Sequence, residues 1–168
     1  NTVYASENGI LYDKQKKTLL HCPTLYANPI RMPSTVTTIR PYAFDWCEEI
    51  TTLTFPEGVT TVGECALNGC KSLTKLYLPA SIRKIDLLAD DSDNALSALK
   101  QIHCAQADPS LIALAPGVFD YIDCSACTLY VPKGAKSKYA AATEWKRFTT
   151  IIEEGGEEEL PENIPTVG

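Results

Sequence analysis

Proline returns every 23 residues in the middle of this chain, at Pro33, Pro56 and Pro79, and the residues between the prolines align position by position. Val36, Val59 and Ile82 share one slot, Ile39, Val62 and Ile85 a second, and Ala43, Ala66 and Ala89 a third. Ile50, Leu73 and, after an insertion, Leu99 make a fourth. Self-similarity at a fixed period of this length marks a solenoid, whose coils are each too small to bury their own apolar face. Such arrays are extended surfaces, which favours a binding role over a catalytic one.

Composition allows this fold and removes several others. Apolar residues make up 45% of the chain, enough for a continuous core. No apolar run approaches the length of a membrane-spanning helix, so no membrane insertion is expected. The net charge of −6 sits at one end: residues 153–168 hold six glutamates and no Lys or Arg. Taking those six from the 21 acidic residues leaves 15, against 15 basic ones. A body without net charge has no electrostatic footprint for nucleic acid. With Gly155-Gly156, Pro161 and Pro165 among the glutamates, residues 155–168 read as an acidic tail or linker. The opening Asn1-Thr2-Val3-Tyr4 has no initiator Met and no basic stretch before an apolar one. A mature secreted chain begins this way, and so does a trimmed piece of a longer one.

The pattern along the chain predicts a cap, an array and a second cap. Residues 1–29 read as an opening hairpin, with Ile10-Leu11-Tyr12 and Thr18-Leu19-Leu20 as β-prone arms and Asn8-Gly9 as a tight-turn signal before the first. Residues 30–132 read as about four right-handed coils with two parallel sheets. In each unit a short strand follows the proline (Val36–Ile39, Val59–Val62, Ile82–Ile85), a compact turn carries Ala43-Phe44 or Ala66-Leu67, and a second strand ends at or near the next proline. Leu53-Thr54-Phe55, Leu76-Tyr77-Leu78, Ile102-His103-Cys104 and Leu129-Tyr130-Val131 are those second strands, with outer residues inward and middle ones outward. Near 90–96 an insertion breaks the frame. There Asp90 stands where Phe44 and Leu67 stand, and Asp93 is placed to cap a turn of helix through Leu96 and Leu99. Val118-Phe119 refills the aromatic slot of a fourth, irregular unit, with Cys124 in its cysteine slot. Residues 133–154 then read as a closing helix and strand through Tyr139, Trp145, Phe148 and Thr149–Ile152.

These residues resemble the BspA-type leucine-rich repeats of surface proteins from anaerobic bacteria such as Bacteroides and of some parasitic protozoa. Pro33 to Pro56 carries the unit nearly complete: proline, Val-Thr-x-Ile, Ala-Phe, Cys-x-x-Ile and a Leu-x-Phe-Pro strand. Pro56 to Pro79 repeats it with Leu67 for the aromatic. Glu7–Tyr12, Leu129–Gly134 and Trp145–Phe148 also look like the family's termini. The resemblance implies a leucine-rich-repeat solenoid, mostly β with short helical turns, on a secreted or cell-surface protein that adheres to host or matrix proteins.

The residues that invite chemistry each have a plainer reading. The seven cysteines are an odd number, so at least one is unpaired in a monomer. Cys47 and Cys70 share one slot and are expected as buried free thiols, since cysteine behaves as a small hydrophobe. A rung spacing of ~4.8 Å permits a bridge without requiring one. Cys124-Ser125-Ala126-Cys127 has half-zinc and thiol-redox spacing but no second ligand pair, and it repeats the Cys-x-x-Ile50 and Cys-x-x-Leu73 slots. His21-Cys22 and His103-Cys104 are strand neighbours, whose side chains point to opposite faces, so neither pair is a dyad. The Asp90–Asn94 cluster lacks the glycine and distant glutamate of a dedicated calcium loop. No catalytic residue, metal or cofactor is therefore assigned.

The outward middle positions form a ladder, Arg31, Thr54, Tyr77, His103 and Tyr130, and Tyr and Arg are common at binding hot spots. This ladder is the candidate partner site, and its removal is expected to cost about 0.5 kcal/mol of stability or less. The expectation is a monomeric, non-enzymatic binding or adhesion module recognising a protein or glycan, with a structural spacer in a larger surface protein as the alternative.

A peptide of residues 33–56 alone should show a disordered circular-dichroism spectrum at all concentrations, because one coil has nothing to stack on; a cooperative thermal transition in that peptide would overturn the solenoid reading.

Overall fold

Among the described residues twelve short strands, one short α-helix and two single 3-10 turns follow one another, and the strands divide between two sheets. The computed structural model describes residues 2–27, 29–90 and 95–155. In chain order the elements are β1 (Tyr4–Glu7), β2 (Ile10–Asp13), β3 (Thr18–His21), β4 (Thr38–Ile39), β5 (Thr52–Thr54) and β6 (Thr61–Val62), then β7 (Lys75–Leu78), β8 (Lys84–Ile85), β9 (Gln101–Cys104), β10 (Ala113–Leu114), β11 (Thr128–Pro132), α1 (Lys136–Ala141) and β12 (Thr150–Glu154). The first sheet runs β1-β2-β3-β4-β6-β8-β10 and the second β12-β11-β9-β7-β5. From β3 onward every pairing is parallel, and each coil from β4 to β11 gives one strand to each sheet. The chain is a β-solenoid. Among the described residues no helix is long and apolar enough to cross a membrane.

The array is longer than the four coils expected between residues 30 and 132. The second arm of the hairpin pairs in parallel with β4 (Thr18 with Thr38, Leu19 with Ile39), so it is already a first rung. At the other end β12 lies parallel to β11, which makes the closing segment a sixth. Both ends use the solenoid's own hydrogen bonding, because that is what satisfies an exposed sheet edge. The hairpin also has an arm that the apolar pattern did not reveal. β1 pairs antiparallel with β2 across Asn8-Gly9, where both residues have positive φ, 52° and 82°, as a two-residue type I′ turn requires.

Periodicity extends through the turns. Tyr42, Phe44 and Trp46 donate their amides to Glu64, Ala66 and Asn68 of the next coil, at 3.0, 2.9 and 2.8 Å. The left-handed positions recur with the period: Tyr42 (φ 58°) precedes Cys65 (φ 51°), and Trp46 (φ 57°) precedes Gly69 (φ 72°). Gly69 has a second reason to lack a side chain, since a Cβ there would lie 3.0 Å from Trp46.

Where the third unit departs from the frame, the ladder slips by one residue. Cys65 donates to Leu87 in register, but Leu67 donates to Leu88 and not to Ala89. Leu88 therefore takes the place of Ala66, and the buried Ala89 fills the slot of Phe44 and Leu67. Asp90, expected in that slot, is half-buried just beyond it, because a carboxylate cannot replace an aromatic ring in an apolar column. Its amide bonds Asn68 Oδ1 at 3.4 Å, while Asn68 Nδ2 donates to Asp45 at 2.8 Å. Asp93 lies outside the described residues; Ala95–Leu99 form a turn, with the Leu99 amide donating to the Leu96 carbonyl.

The core consists of columns. Leu53, Leu76, Ile102, Leu129 and Ile151 stand in register across the second sheet, and Leu19, Ile39, Val62 and Ile85 across the first; all nine are buried. Phe119, Tyr139, Trp145 and Phe148 close the far end as an aromatic cluster, with several ring centroids 4.9–5.1 Å apart. The Tyr139 hydroxyl donates to the Gln106 carbonyl at 2.6 Å, which satisfies it in the interior.

All seven cysteines are free thiols. Cys22, Cys47 and Cys70 are buried; Cys47 donates to the Cys22 carbonyl at 3.4 Å and Cys70 to the Phe44 carbonyl at 3.3 Å. Burial pushes the Cys70 thiol well above its ordinary value and the Cys127 thiol up to about 12. Half-buried Cys124 is the accessible one.

Leu76→Ala should destabilise the chain by about 2–5 kcal/mol in urea unfolding, as for other core Leu deletions, whereas Lys75→Ala on the exposed position beside it should stay within about 0.5 kcal/mol. With a thiol reagent at neutral pH, Cys124 should be modified first and Cys47 and Cys70 only on unfolding; rapid modification of both in the folded chain would contradict their place in the core.

Candidate functional site

In a parallel sheet strands lie ~4.7–4.9 Å apart, so flat rings at one register position of successive strands are brought to stacking distance. The second sheet does this on its outer face. Thr54 pairs with Tyr77, Tyr77 with His103, His103 with Tyr130, and Tyr130 with Ile152. The His103 ring lies between the two phenols with centroids 4.3 Å away on both sides and interplanar angles of 19° and 5°. Four of the five ladder residues read from the sequence thus share one row.

Arg31 does not join them. It is exposed and belongs to no strand, because the second sheet starts only at β5. The fifth member of the row is Ile152 on β12, 40% exposed. The row is also less open than an ordinary exposed ladder: Tyr77, His103 and Tyr130 are half-buried, by each other. Each stacked aromatic pair is worth about 0.5–1.5 kcal/mol, so removing the tyrosines costs more stability than the 0.5 kcal/mol expected from exposed positions.

The imidazole is clamped at its edges as well as its faces. Nδ1 lies 2.9 Å from Glu154 Oε2, and since a carboxylate only accepts, Nδ1 carries the donated proton. Nε2 lies 2.9 Å from the Gln101 side-chain oxygen. The His103 side chain is 13% exposed. With both nitrogens engaged and both faces covered, this histidine is a structural rung. Neighbouring Cys104 points to the opposite face, buried 3.3 Å from the Tyr139 hydroxyl, and burial holds its thiol up. The other His-Cys neighbours divide the same way, His21 exposed and Cys22 buried.

Beside the row, at the strand ends, runs a groove of about 470 Å³. Pro56, Pro79 and Pro132, each placed where its strand runs out, form one side, and Tyr77 and His103 belong to its lining. Among the described residues Glu57 and Glu154 are the carboxylates that line it, and no Lys or Arg does. A further aromatic feature sits on the turns: Trp46, 36% exposed, has the Lys71 ammonium 4.9 Å from its ring centroid. Its period-matched partner Gly69 was the sequence sign that this ring has room to lie flat. Among the described residues no group of three His, Cys, Asp or Glu side chains is arranged to hold a metal.

A profile described as BspA type leucine rich repeat region matches residues 20–134 in six copies. Among solved structures the chain is similar to a leucine-rich repeat protein from Eubacterium ventriosum, at 25% identity and a TM-score of 0.57, over 80% of this chain and 35% of that one. It is similar in fold to a leucine rich cell surface protein from Faecalibacterium prausnitzii, at 18% identity and a TM-score of 0.57, over 93% of this chain and 41% of that one. A leucine-rich repeat protein from Bacteroides capillosus aligns at 18% identity and a TM-score of 0.50, over 91% and 99% of the two chains. The chain thus spans well under half the length of the first two. No curated protein matches it.

Proposed function

The chain belongs to the BspA-type leucine-rich repeat family, and on that premise we propose that it is a non-enzymatic, surface-exposed or secreted adhesion module that holds a protein partner on the outer face of its second sheet. The observation that carries this reading is the row Thr54, Tyr77, His103, Tyr130 and Ile152, with its three rings held in a fixed stack. Rings already immobilised lose little side-chain entropy when a partner closes over them, which is how aromatic positions become hot spots.

A protein fits this face better than a glycan does. A sugar packs against an open ring face, but here the faces of His103 and the inner faces of both tyrosines are covered by one another. What remains outward is ring edges and phenol hydroxyls, beside a proline-lined apolar groove. Such a surface suits backbone and apolar side chains. The non-enzymatic reading rests on the clamped imidazole, which has no nitrogen available to a substrate. Surface placement rests on the family and on the similar cell surface protein from Faecalibacterium prausnitzii.

The purified chain should bind at least one member of a panel of extracellular-matrix proteins and none of a glycan array. Tyr77→Ala with Tyr130→Ala should then weaken that binding by about 2 kcal/mol or more. Because the Ala pair also loses the stack, Tyr77→Phe with Tyr130→Phe is the companion: it keeps the rings, removes both hydroxyls, and should retain the fold while lowering affinity. Folded variants with unchanged binding would move the site elsewhere. A glycan hit without a protein hit would overturn the choice of partner.

A further inference from the structure

The first sheet stops one rung before the second. Its last strand, β10, pairs with β8 on one side and with no described strand on the other, while the second sheet runs on through β11 to β12. The sixth coil carries α1 where a first-sheet strand would continue the stack.

Several independent features meet at this open edge. Ala113 and Ala115 donate to the carbonyls of Arg83 and Ile85 at 2.8 and 3.1 Å, so Leu114 between them turns its peptide groups to the open side. The Leu114 side chain continues the column Leu19, Ile39, Val62 and Ile85, yet it alone is only half-buried, because no rung covers it. A cleft of about 690 Å³ separates the edge from the last coil, with Ile112, Leu114 and Pro116 on one wall and Ala141, Ala142 and Trp145 on the other. Trp145 is 1% exposed, and its indole Nε1 is a buried donor with no acceptor among the described residues.

We propose that this cleft takes an extended peptide segment of a protein partner, which adds to β10 as a sixth parallel rung after β3, β4, β6, β8 and β10. The chemistry of the walls selects this occupant. An open strand edge asks for a second extended backbone, and the uncovered Leu114 asks for one apolar side chain in line with its column. A helix has already spent its carbonyls and cannot meet the edge. The strand itself, Ala113-Leu114, carries neither a charge nor a proline, and at two residues it offers an incoming backbone the peptide groups of Leu114. The cleft also has the volume of ordinary ligand pockets. It lies on the opposite sheet from the aromatic row and stands or falls independently of it.

The test uses the full chain and a synthetic peptide copying residues 34–41, whose strand Thr38–Ile39 forms a regular rung of this same sheet. In nuclear magnetic resonance titrations the peptide should shift the Leu114 amide and the Trp145 indole proton saturably. Hydrogen exchange at the Leu114 amide should slow about tenfold at a peptide concentration about ten times its Kd. Leu114→Lys, which puts a charge on the open edge, should bind the peptide several-fold more weakly. Absence of both shifts, or shifts confined to β12 or to the aromatic row, would overturn the proposal. So would a Leu114 amide already protected in the free chain, since the edge would then be filled by the chain's own residues. Equal affinity of the Leu114→Lys variant would overturn the placement of the peptide on β10.

Discussion

Everything in this protein depends on one coil hydrogen-bonding the next at a constant spacing. The parallel ladders supply those bonds in both sheets, and the turns join in, with Tyr42, Phe44 and Trp46 each bonded to the coil that follows. A chain built this way must return to the same place after the same number of residues, or its peptide groups lose their partners. That requirement is what a 23-residue period expresses. It also explains why each apolar slot becomes a column rather than a scatter of contacts, and why the left-handed residues recur at matched positions. The fourth coil shows the constraint under load: with the frame one residue out, the ladder moves from Ala89 to Leu88 and a small side chain is accepted in an aromatic slot.

The same spacing that stacks the core stacks the surface. Outward residues at one register position have no choice about their neighbours, so Tyr77, His103 and Tyr130 pack face to face whether or not a partner is present. Stacking makes the row rigid and covers the faces of His103 and the inner faces of both tyrosines. It also sets the two nitrogens of the histidine 2.9 Å from side-chain oxygens of Glu154 and Gln101. A single geometric rule therefore supplies the proposed recognition surface.

Solenoids have ends, and the two ends here are treated differently. At the start, an antiparallel hairpin with a type I′ turn covers the first rung and adds two strands to the first sheet. At the finish, the aromatic cluster around Trp145 covers the core and β12 completes the second sheet, but the first sheet is left with β10 as its edge. The uncovered Leu114 and the unpaired indole of Trp145 lie together at that incomplete end, where the stacking rule stops being met by the chain itself.

The sequence by itself determined the solenoid, its period, its inward columns and most of the outward row. These follow from side-chain alternation and a fixed repeat, which are local properties repeated along the chain. The strands carrying Tyr77, His103 and Tyr130 were legible for that reason. Arg31 was misplaced because sheet membership depends on having a bonded neighbour, and no strand of the second sheet precedes β5. Ile152 and Glu154 were missed for the converse reason: the acidic end of the chain gave no sign that β12 would dock on β11. Only the tertiary structure decided the number of coils, the slip at Leu88, the clamp on His103 and the cleft between β10 and α1. Each depends on which segments lie side by side, and a repeat pattern states what a rung looks like without stating where the stack of rungs ends.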